Sequence, residues 1–172
     1  MKNLTLIRHA ETHPQQFFES DKDRTLTQRG LYQIENIAKQ LKEKKFFSNN
    51  TDKNSSAKSI LCSPAKRAIQ TALLFCEKLE INPKLININP ILYSGDTVDI
   101  LKLFSSLKVS QDAFIVGHNP TLSSLAHRLC PTTKSIILPT AGVISLGFDT
   151  ITWDDLLVKQ GKLLFFIEPK HE

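Results

Sequence analysis

Short apolar runs alternate along the chain with longer segments whose apolar residues recur every three or four positions. Leu4, Leu6 and Ile7 make the first run, which reads as a strand buried on both faces of a sheet, as central parallel strands are. From 27 to about 44, Leu31, Ile34, Ile37, Ala38 and Leu41 share one face of a helix, with Thr27 as its cap. A second strand is predicted over 59–62. A helix follows to about 79, with Ala68, Ala72, Phe75 and Leu79 turned to the core. Ser63 before Pro64 is a helix-start signature, the serine accepting from unpaired amides and the proline taking the first helical position. Arg67 then falls near the end of the first turn. Alternation with asparagine over 85–88 marks an edge strand, Tyr93-Ser94-Gly95-Asp96 a turn, and 98–107 a short amphipathic helix. The run 113–116 is the next buried strand, after which Asn119-Pro120 repeats the helix-start pattern ahead of Leu122, Leu125, Ala126 and Leu129. Strand-like 143–146 and 164–167 close the chain, joined through the acidic turn Trp153-Asp154-Asp155.

Between these elements lie polar connections. Pro14 pushes His13 away from helical geometry, so the segment after Thr12 leaves the strand as a loop and runs through Phe17, Phe18 and Asp23-Arg24-Thr25-Leu26. The stretch 48–56 is a polar surface loop. Lys42, Lys44 and Lys45 suit the negative end of a helix dipole and read as a solvated helix terminus. No internal repeat is evident.

Composition narrows the class. A chain of 172 residues, 41% hydrophobic and 23% charged, suits a single domain, 1–172, with a sizeable core. The formal charge of +5 favours an acidic or phosphorylated partner. With no dense basic block interleaved with aromatics, nucleic-acid binding is not expected. No run approaches a membrane span, and Arg8 and His9 interrupt any signal-like apolar region, so the expected location is cytoplasmic. Cys62, Cys76 and Cys130 are odd in number and lack C-x-x-C spacing, which fits reduced, buried thiols.

The candidate chemistry gathers where strands end. In open α/β sheets ligands collect beyond the carboxyl ends of the strands, which puts Arg8 and His9 where a site is expected. Arg8 supplies a planar fork of donors suited to phosphate or carboxylate, and His9, neutral near pH 7, can attack an electrophile. Arg67 and His118 sit at the two later strand-to-helix junctions, and a helix N-terminus beside a strand end is a natural anion site. Convergence on one phosphate is the economical explanation. Arg24 is a further candidate to reach back to the site, with a solvated surface arginine as the alternative. His9 and His13 lie four apart, but the zinc pattern needs a helix and a glutamate directly after the first histidine, so no metal is expected. His127, mid-helix, and His171, in the tail, read as surface residues.

Leu6-Ile7-Arg8-His9-Ala10-Glu11-Thr12, Ser63-Pro64-Ala65-Lys66-Arg67-Ala68-Ile69-Gln70-Thr71-Ala72 and Gly117-His118-Asn119-Pro120 resemble, in order, the signature blocks of the histidine phosphatase superfamily. The segment Asp23-Arg24-Thr25-Leu26-Thr27-Gln28-Arg29-Gly30 and the helix end Leu129-Cys130-Pro131 are similar to the SixA-type phosphohistidine phosphatase branch. The resemblance implies a phosphoglycerate mutase-like fold, a three-layer α/β/α sandwich around a mostly parallel sheet. It also implies that His9 attacks phosphorus to form a phosphohistidine that water hydrolyses. Arg8, Arg67 and His118 would hold the non-bridging oxygens, with Arg24 a fourth contact and no cofactor required. Phosphoryl transfer gathers charge on equatorial oxygens, which is what pre-placed cations stabilise.

Two departures are informative. Ala10 stands where glycine is common, and the proton-donating glutamate that larger members carry after the third strand is missing. A protonated imidazole leaves as a neutral ring, whereas an alkoxide needs a proton, so the missing acid favours a phosphoramidate. Asp96 and Glu11 are the substitute acid candidates. The expected substrate is a phosphohistidine protein, such as a phosphotransfer domain or phosphocarrier. The alternatives are a small phosphorylated molecule handled by a broad phosphomonoesterase or mutase, and a non-catalytic domain that binds phosphoproteins.

Overall fold

The computed structural model describes residues 2–16, 20–44, 58–105, 107, 112–150 and 152–170. Phe17, Phe18, Lys45, the polar stretch 48–56 and His171 lie outside these.

Among the described residues, six strands, β1 (Lys2–Arg8), β2 (Lys58–Cys62), β3 (Ile86–Ile88), β4 (Asp112–Gly117), β5 (Val143–Phe148) and β6 (Lys162–Ile167), form one sheet in the order β3-β2-β4-β1-β5-β6. The pairs β3–β2, β2–β4 and β4–β1 are parallel, while β5 and β6 extend the sheet antiparallel beyond β1. β1 and β4 are therefore central and carry continuous apolar runs. Along β4, Ala113 and Ile115 enter one core while Phe114 and Val116 enter the other, as period-two side chains must. Leu4 and Leu6 of β1 join the first core and Ile7 the second.

The described residues also form the helices that cover the faces: α1 (Gln28–Glu43), α2 (Lys66–Leu79), α3 (Ile91–Ser94), α4 (Thr97–Phe104) and α5 (Thr121–Leu129). On one side α4 and α5 bury Ile100, Leu101, Phe104, Leu122 and Leu125. On the other, α1 and α2 bury Ile34, Ile37, Leu41, Ala68 and Phe75. This is the expected three-layer α/β/α sandwich with a mostly parallel sheet. Burying a side chain such as Leu6, at 0% exposure, contributes roughly 1.5–3 kcal/mol.

The helix starts diverge from the sequence reading at informative places. Thr27 caps α1 as expected, accepting from the Gly30 N–H at 3.0 Å. Ser63 does not cap α2, which begins at Lys66 after Ala65 and has no side-chain cap bond. Arg67 is consequently the second helical residue rather than the end of the first turn. The turn expected at 93–96 is partly helical, because Tyr93 and Ser94 complete α3. Asp96 then caps α4 in a reciprocal capping box with Asp99, so that helix starts one residue early and stops at Phe104, short of Leu107. Helix α5 begins at Thr121, and Asn119 turns its Oδ1 to the Ser123 hydroxyl at 2.9 Å. The acidic turn is a short 3-10 helix, Asp154–Leu157, with Trp153 buried beneath it.

The three cysteines are buried free thiols. Burial and neighbouring Cys76 push the Cys62 thiol up to about 12, and burial pushes Cys76 up to about 11. Among the described residues, no helix is long and apolar enough to cross a membrane.

Candidate active site

The parallel register brings the sequence blocks together. Arg8 pairs with Gly117 across β1 and β4, so His9 and His118 are the next residues out on neighbouring strands. Their ring centroids lie 5.0 Å apart. Cys62 pairs with Val116, and the Ser63 N–H donates to the Val116 carbonyl at 3.0 Å, which delivers the end of β2 and the start of α2 to the same edge.

The backbone around His9 is held from both sides. Its N–H donates to Gly117 O at 3.0 Å, and its carbonyl accepts from Ala141 N–H at 3.1 Å. Ala141 takes a φ of 58°, a left-handed conformation that costs a non-glycine residue about 1 kcal/mol. The following Gly142 offers its carbonyl to the Arg8 N–H. Ala10 is fully buried, donates its N–H to Thr71 Oγ1 at 3.1 Å and avoids the left-handed region, so its methyl fits where glycine was the expectation. Gly30 explains how α1 approaches the same loop, since a β-carbon there would lie 2.3 Å from the Glu11 carbonyl oxygen.

His9 and His118 are fixed through opposite ring nitrogens. His9 Nδ1 lies 2.8 Å from Ala10 O, and a carbonyl can only accept, so this nitrogen carries the proton. Burial lowers the His9 pKa from 6.5 to about 4, against the raising effect of the Ala10 bond and with help from the charges of Arg67, Arg8 and Arg24. At neutral pH the ring is therefore neutral, with its lone pair on Nε2. His118 instead uses Nε2, 2.7 Å from the hydroxyl of buried Ser63. The Ser63 hydroxyl also accepts from the Ala65 N–H at 3.4 Å, and with one proton and a second lone pair it can pair with either neutral tautomer of His118. Burial, His9 and Arg67 lower the His118 pKa to about 3.

Two arginines surround this pair. Arg8 Nη1 donates to Leu138 O at 2.9 Å, and Arg67, 6% exposed, donates through Nη1 and Nη2 to Asp21 O at 2.6 Å and Asp21 Oδ2 at 2.8 Å. Among the described residues, the buried side-chain polar atoms without a partner are Asn3 Oδ1, Arg8 Nε, Arg67 Nε and His118 Nδ1. Asn3 lies at the far end of β1. The other three belong to residues that the sequence placed in one pocket, and buried polar groups ordinarily find partners. Two are guanidinium N–H donors and the third is an imidazole nitrogen, beside a neutral His9, an arrangement suited to an anion with several oxygens.

The remaining candidates separate. Arg24 is near enough to press on His9, yet its nitrogens are engaged with His13 O, Asp21 Oδ1 and Thr12 Oγ1. Glu11 accepts from Thr27 Oγ1 at 2.9 Å and from Arg29 at 3.2 Å, and it lines a cleft of about 400 Å³ with Tyr32, Gln33 and Thr140 that includes neither histidine. Asp96 serves α4, and hydrogen bonds from Asp99 and Val98 lower its pKa, which disfavours it as a proton donor. His127 is exposed on α5. Among the described residues, no group of three or more His, Cys, Asp or Glu is arranged to hold a metal ion.

Three residues escaped the sequence reading: Ser63 as the partner of His118, Asp21 as the partner of Arg67, and Tyr93. The Tyr93 ring stands edge-on to His118 with centroids 5.6 Å apart, and its hydroxyl donates to Asp21 Oδ2 at 2.9 Å. Ser63-Pro64 signalled a helix cap and concealed the first. One of two aspartates in a polar loop, Asp21 gave no signal for the second.

Solved structures share this architecture. The protein histidine phosphatase SixA complexed with tungstate superposes with a TM-score of 0.76 at 22% identity, covering 97% of both chains. A protein assigned as phosphohistidine phosphatase SixA from Nakamurella multipartitia gives 0.77 at 20% identity, covering 98% of this chain and 96% of that one. More distant is the phosphoserine phosphatase of Entamoeba histolytica in complex with 3-phosphoglyceric acid, at 0.56 and 17% identity over 96% of each chain. At these identities the likeness is one of fold, phosphoglycerate mutase-like. Comparison with curated protein sequences finds no match. The sequence profile of the histidine phosphatase superfamily (branch 1) matches residues 4–105, more than half of the chain, and the protein belongs to that superfamily.

Proposed function

We propose that the protein is a phosphatase that removes phosphate from phosphohistidine on a protein, passing the phosphoryl group through His9. The carrying observation is the set of three buried, unpartnered nitrogens, Arg8 Nε, Arg67 Nε and His118 Nδ1, around a His9 held neutral with Nε2 available. In the first step the Nε2 lone pair forms a bond to phosphorus while the bond from phosphorus to the substrate imidazole breaks. That imidazole, protonated on its other nitrogen or by solvent, leaves as a neutral ring. In the second step water attacks phosphorus and the bond to Nε2 breaks, returning neutral His9 and inorganic phosphate. Arg8, Arg67 and His118 stabilise the equatorial oxygens in both steps.

The leaving group is argued from the acids. Glu11 and Asp96 are both committed to hydrogen bonds away from His9, and Asp96 is held below its ordinary pKa. A substrate whose leaving group needs little protonation fits such a site better than an alkyl phosphate does. A protein substrate is supported by the short connection between Tyr93 and β4, whose helix α4 commits Ile100, Leu101 and Phe104 to the core. We also read the chain as one domain, working in the cytoplasm.

The test is a substrate profile of native protein and His9→Ala. A phosphohistidine peptide should turn over far faster than sugar phosphates, and Glu11→Gln and Asp96→Asn should cost little with it. Equal efficiency on sugar phosphates would move the protein to the broad phosphomonoesterases. Binding of phosphoprotein without turnover would make it a recognition domain.

A further inference from the structure

The loop between β1 and α1 sets one carboxylate among the pocket's cations. Asp21 lies on a short 3-10 turn, Asp21–Asp23, and accepts four side-chain hydrogen bonds from three residues. Arg67 of α2 gives it both terminal nitrogens, one to the backbone carbonyl at 2.6 Å and one to Oδ2 at 2.8 Å. Tyr93 of α3 donates to the same Oδ2 at 2.9 Å, and Arg24 donates to Oδ1 at 3.1 Å. A fork held at both tips has little rotational freedom, and Arg67 Nε is thereby fixed as the buried donor without a partner.

Two simpler roles do not account for Asp21. As a general acid it would need a proton at neutral pH. Burial pushes its carboxyl up, but the bonds from Arg67, Tyr93 and Arg24 outweigh that and hold it well below the usual carboxylate range, so it stays ionised. As a surface ion pair it would face a solvated partner, whereas the Arg67 side chain is 7% exposed. Charge in the pocket gives it a role. The charges of Arg8, Arg24 and Arg67 all bear on His9, and Asp21, the carboxylate bonded to two of these arginines, offsets part of that positive charge.

Resting on the phosphatase reading, we propose that Asp21 is the positioning residue of the anion pocket: it locks the Arg67 fork and lowers the pocket's positive charge, so that inorganic phosphate is released. Its removal has two opposed consequences. Arg67 loses its aim, which weakens stabilisation of the transition state. The pocket gains one unit of positive charge, which strengthens binding of ground-state anions, phosphate included.

The experiment measures kcat and KM for an aryl phosphate such as p-nitrophenyl phosphate, and competitive inhibition by inorganic phosphate, in the full chain and in Asp21→Asn. The expected result is a split: kcat falls about tenfold or more while KM does not rise, and phosphate inhibits about tenfold more tightly at low salt, the gain shrinking at high salt. Tyr93→Phe, which removes one donor but no charge, should lower kcat by a smaller factor with phosphate affinity unchanged. It keeps the proposal testable if Asp21→Asn does not fold. Unchanged kcat and phosphate affinity in Asp21→Asn, or loss of both together with a lowered melting temperature, would overturn the proposal; so would a Tyr93→Phe kinetically identical to the native chain. Failure of the native chain to turn over any phosphate ester or amide would overturn the phosphatase reading as well, whereas normal native turnover beside an unaffected Asp21→Asn would overturn the Asp21 role alone.

Discussion

The ends of β1 and β4 are neighbours in the sheet, each finishes in a histidine, and the two are built in opposite senses. At the end of β1 the ring of His9 is held through Nδ1 by the carbonyl of the next residue, a local backbone bond. At the end of β4 the ring of His118 is held through Nε2 by Ser63, 55 positions earlier in the chain. Opposite nitrogens are left over. His9 keeps a lone pair at Nε2, and His118 keeps a buried Nδ1 without a partner. Identical side chains one residue beyond paired strand ends thus become a nucleophile and a hydrogen-bond donor under the proposed function. Which nitrogen the surroundings occupy makes the difference.

The sharpest way to break this asymmetry is to delete each ring in turn. His9→Ala should abolish turnover, a loss of about 10,000-fold or more as expected for a missing nucleophile, with the circular dichroism spectrum intact. His118→Ala, like Arg8→Ala or Arg67→Ala, removes one stabilising donor and should cost about 100- to 1000-fold in kcat. Steady-state rates of the four purified variants check the ranking, and equal losses at His9 and His118 would dissolve the distinction.

A smaller effect separates the ways in which the two rings are held. Ser63→Ala removes the side-chain partner of His118 and leaves His9 alone. The loss of one such hydrogen bond, about 1–1.5 kcal/mol, corresponds to roughly five- to tenfold in kcat. The proposed role needs His118 in its Nδ1–H form, which nitrogen NMR of labelled His118 makes visible, and Ser63→Ala should change that form to a mixture.

A last effect concerns stability against pH, and is read on folding instead of on rate. Both rings have folded pKa values below their unfolded value of 6.5, to about 4 for His9 and about 3 for His118. The unfolded chain therefore binds more protons below pH 6.5. The stabilisation is fully present above that pH and is lost as pH falls through the two folded values. Thermal melts from pH 7 to 4 should show a falling midpoint in the native chain and a shallower fall in His9→Gln, with His118→Gln differing most at the acid end. A native midpoint flat across this range would contradict the burial of neutral rings.

These residues also show what a single sequence discloses. Arg8 and His9 were legible because a buried apolar run stops there, and Arg67 and His118 because strand-to-helix junctions carry recognisable residue types. Order in the sheet then brought the blocks together. Ser63 was legible only in part, since a serine before proline carries the same signature whether its hydroxyl caps a helix or faces a histidine on another strand. Asp21 and Tyr93 were not legible in their roles. Their bonds to Arg67 and to each other span 46 and 72 positions, and nothing local in a polar loop or a short helix encodes such a partner. Glu11 and Asp96 show the converse. Glu11 follows His9 by two positions and Asp96 sits in the region where larger family members carry their glutamate, but both side chains are engaged elsewhere, by Thr27 and Arg29 and by the α4 cap.

The central claim is that His9 Nε2 carries the phosphoryl group. The direct measurement is rapid acid-free quenching during turnover of a phosphorus-labelled phosphohistidine peptide, followed by mass spectrometry of the protein. Label on His9 that is stable to base and lost in acid, present in the native chain and in Arg67→Ala but absent in His9→Ala, is the predicted result. Label on His118, or turnover in His9→Ala at near-native rate, would contradict it.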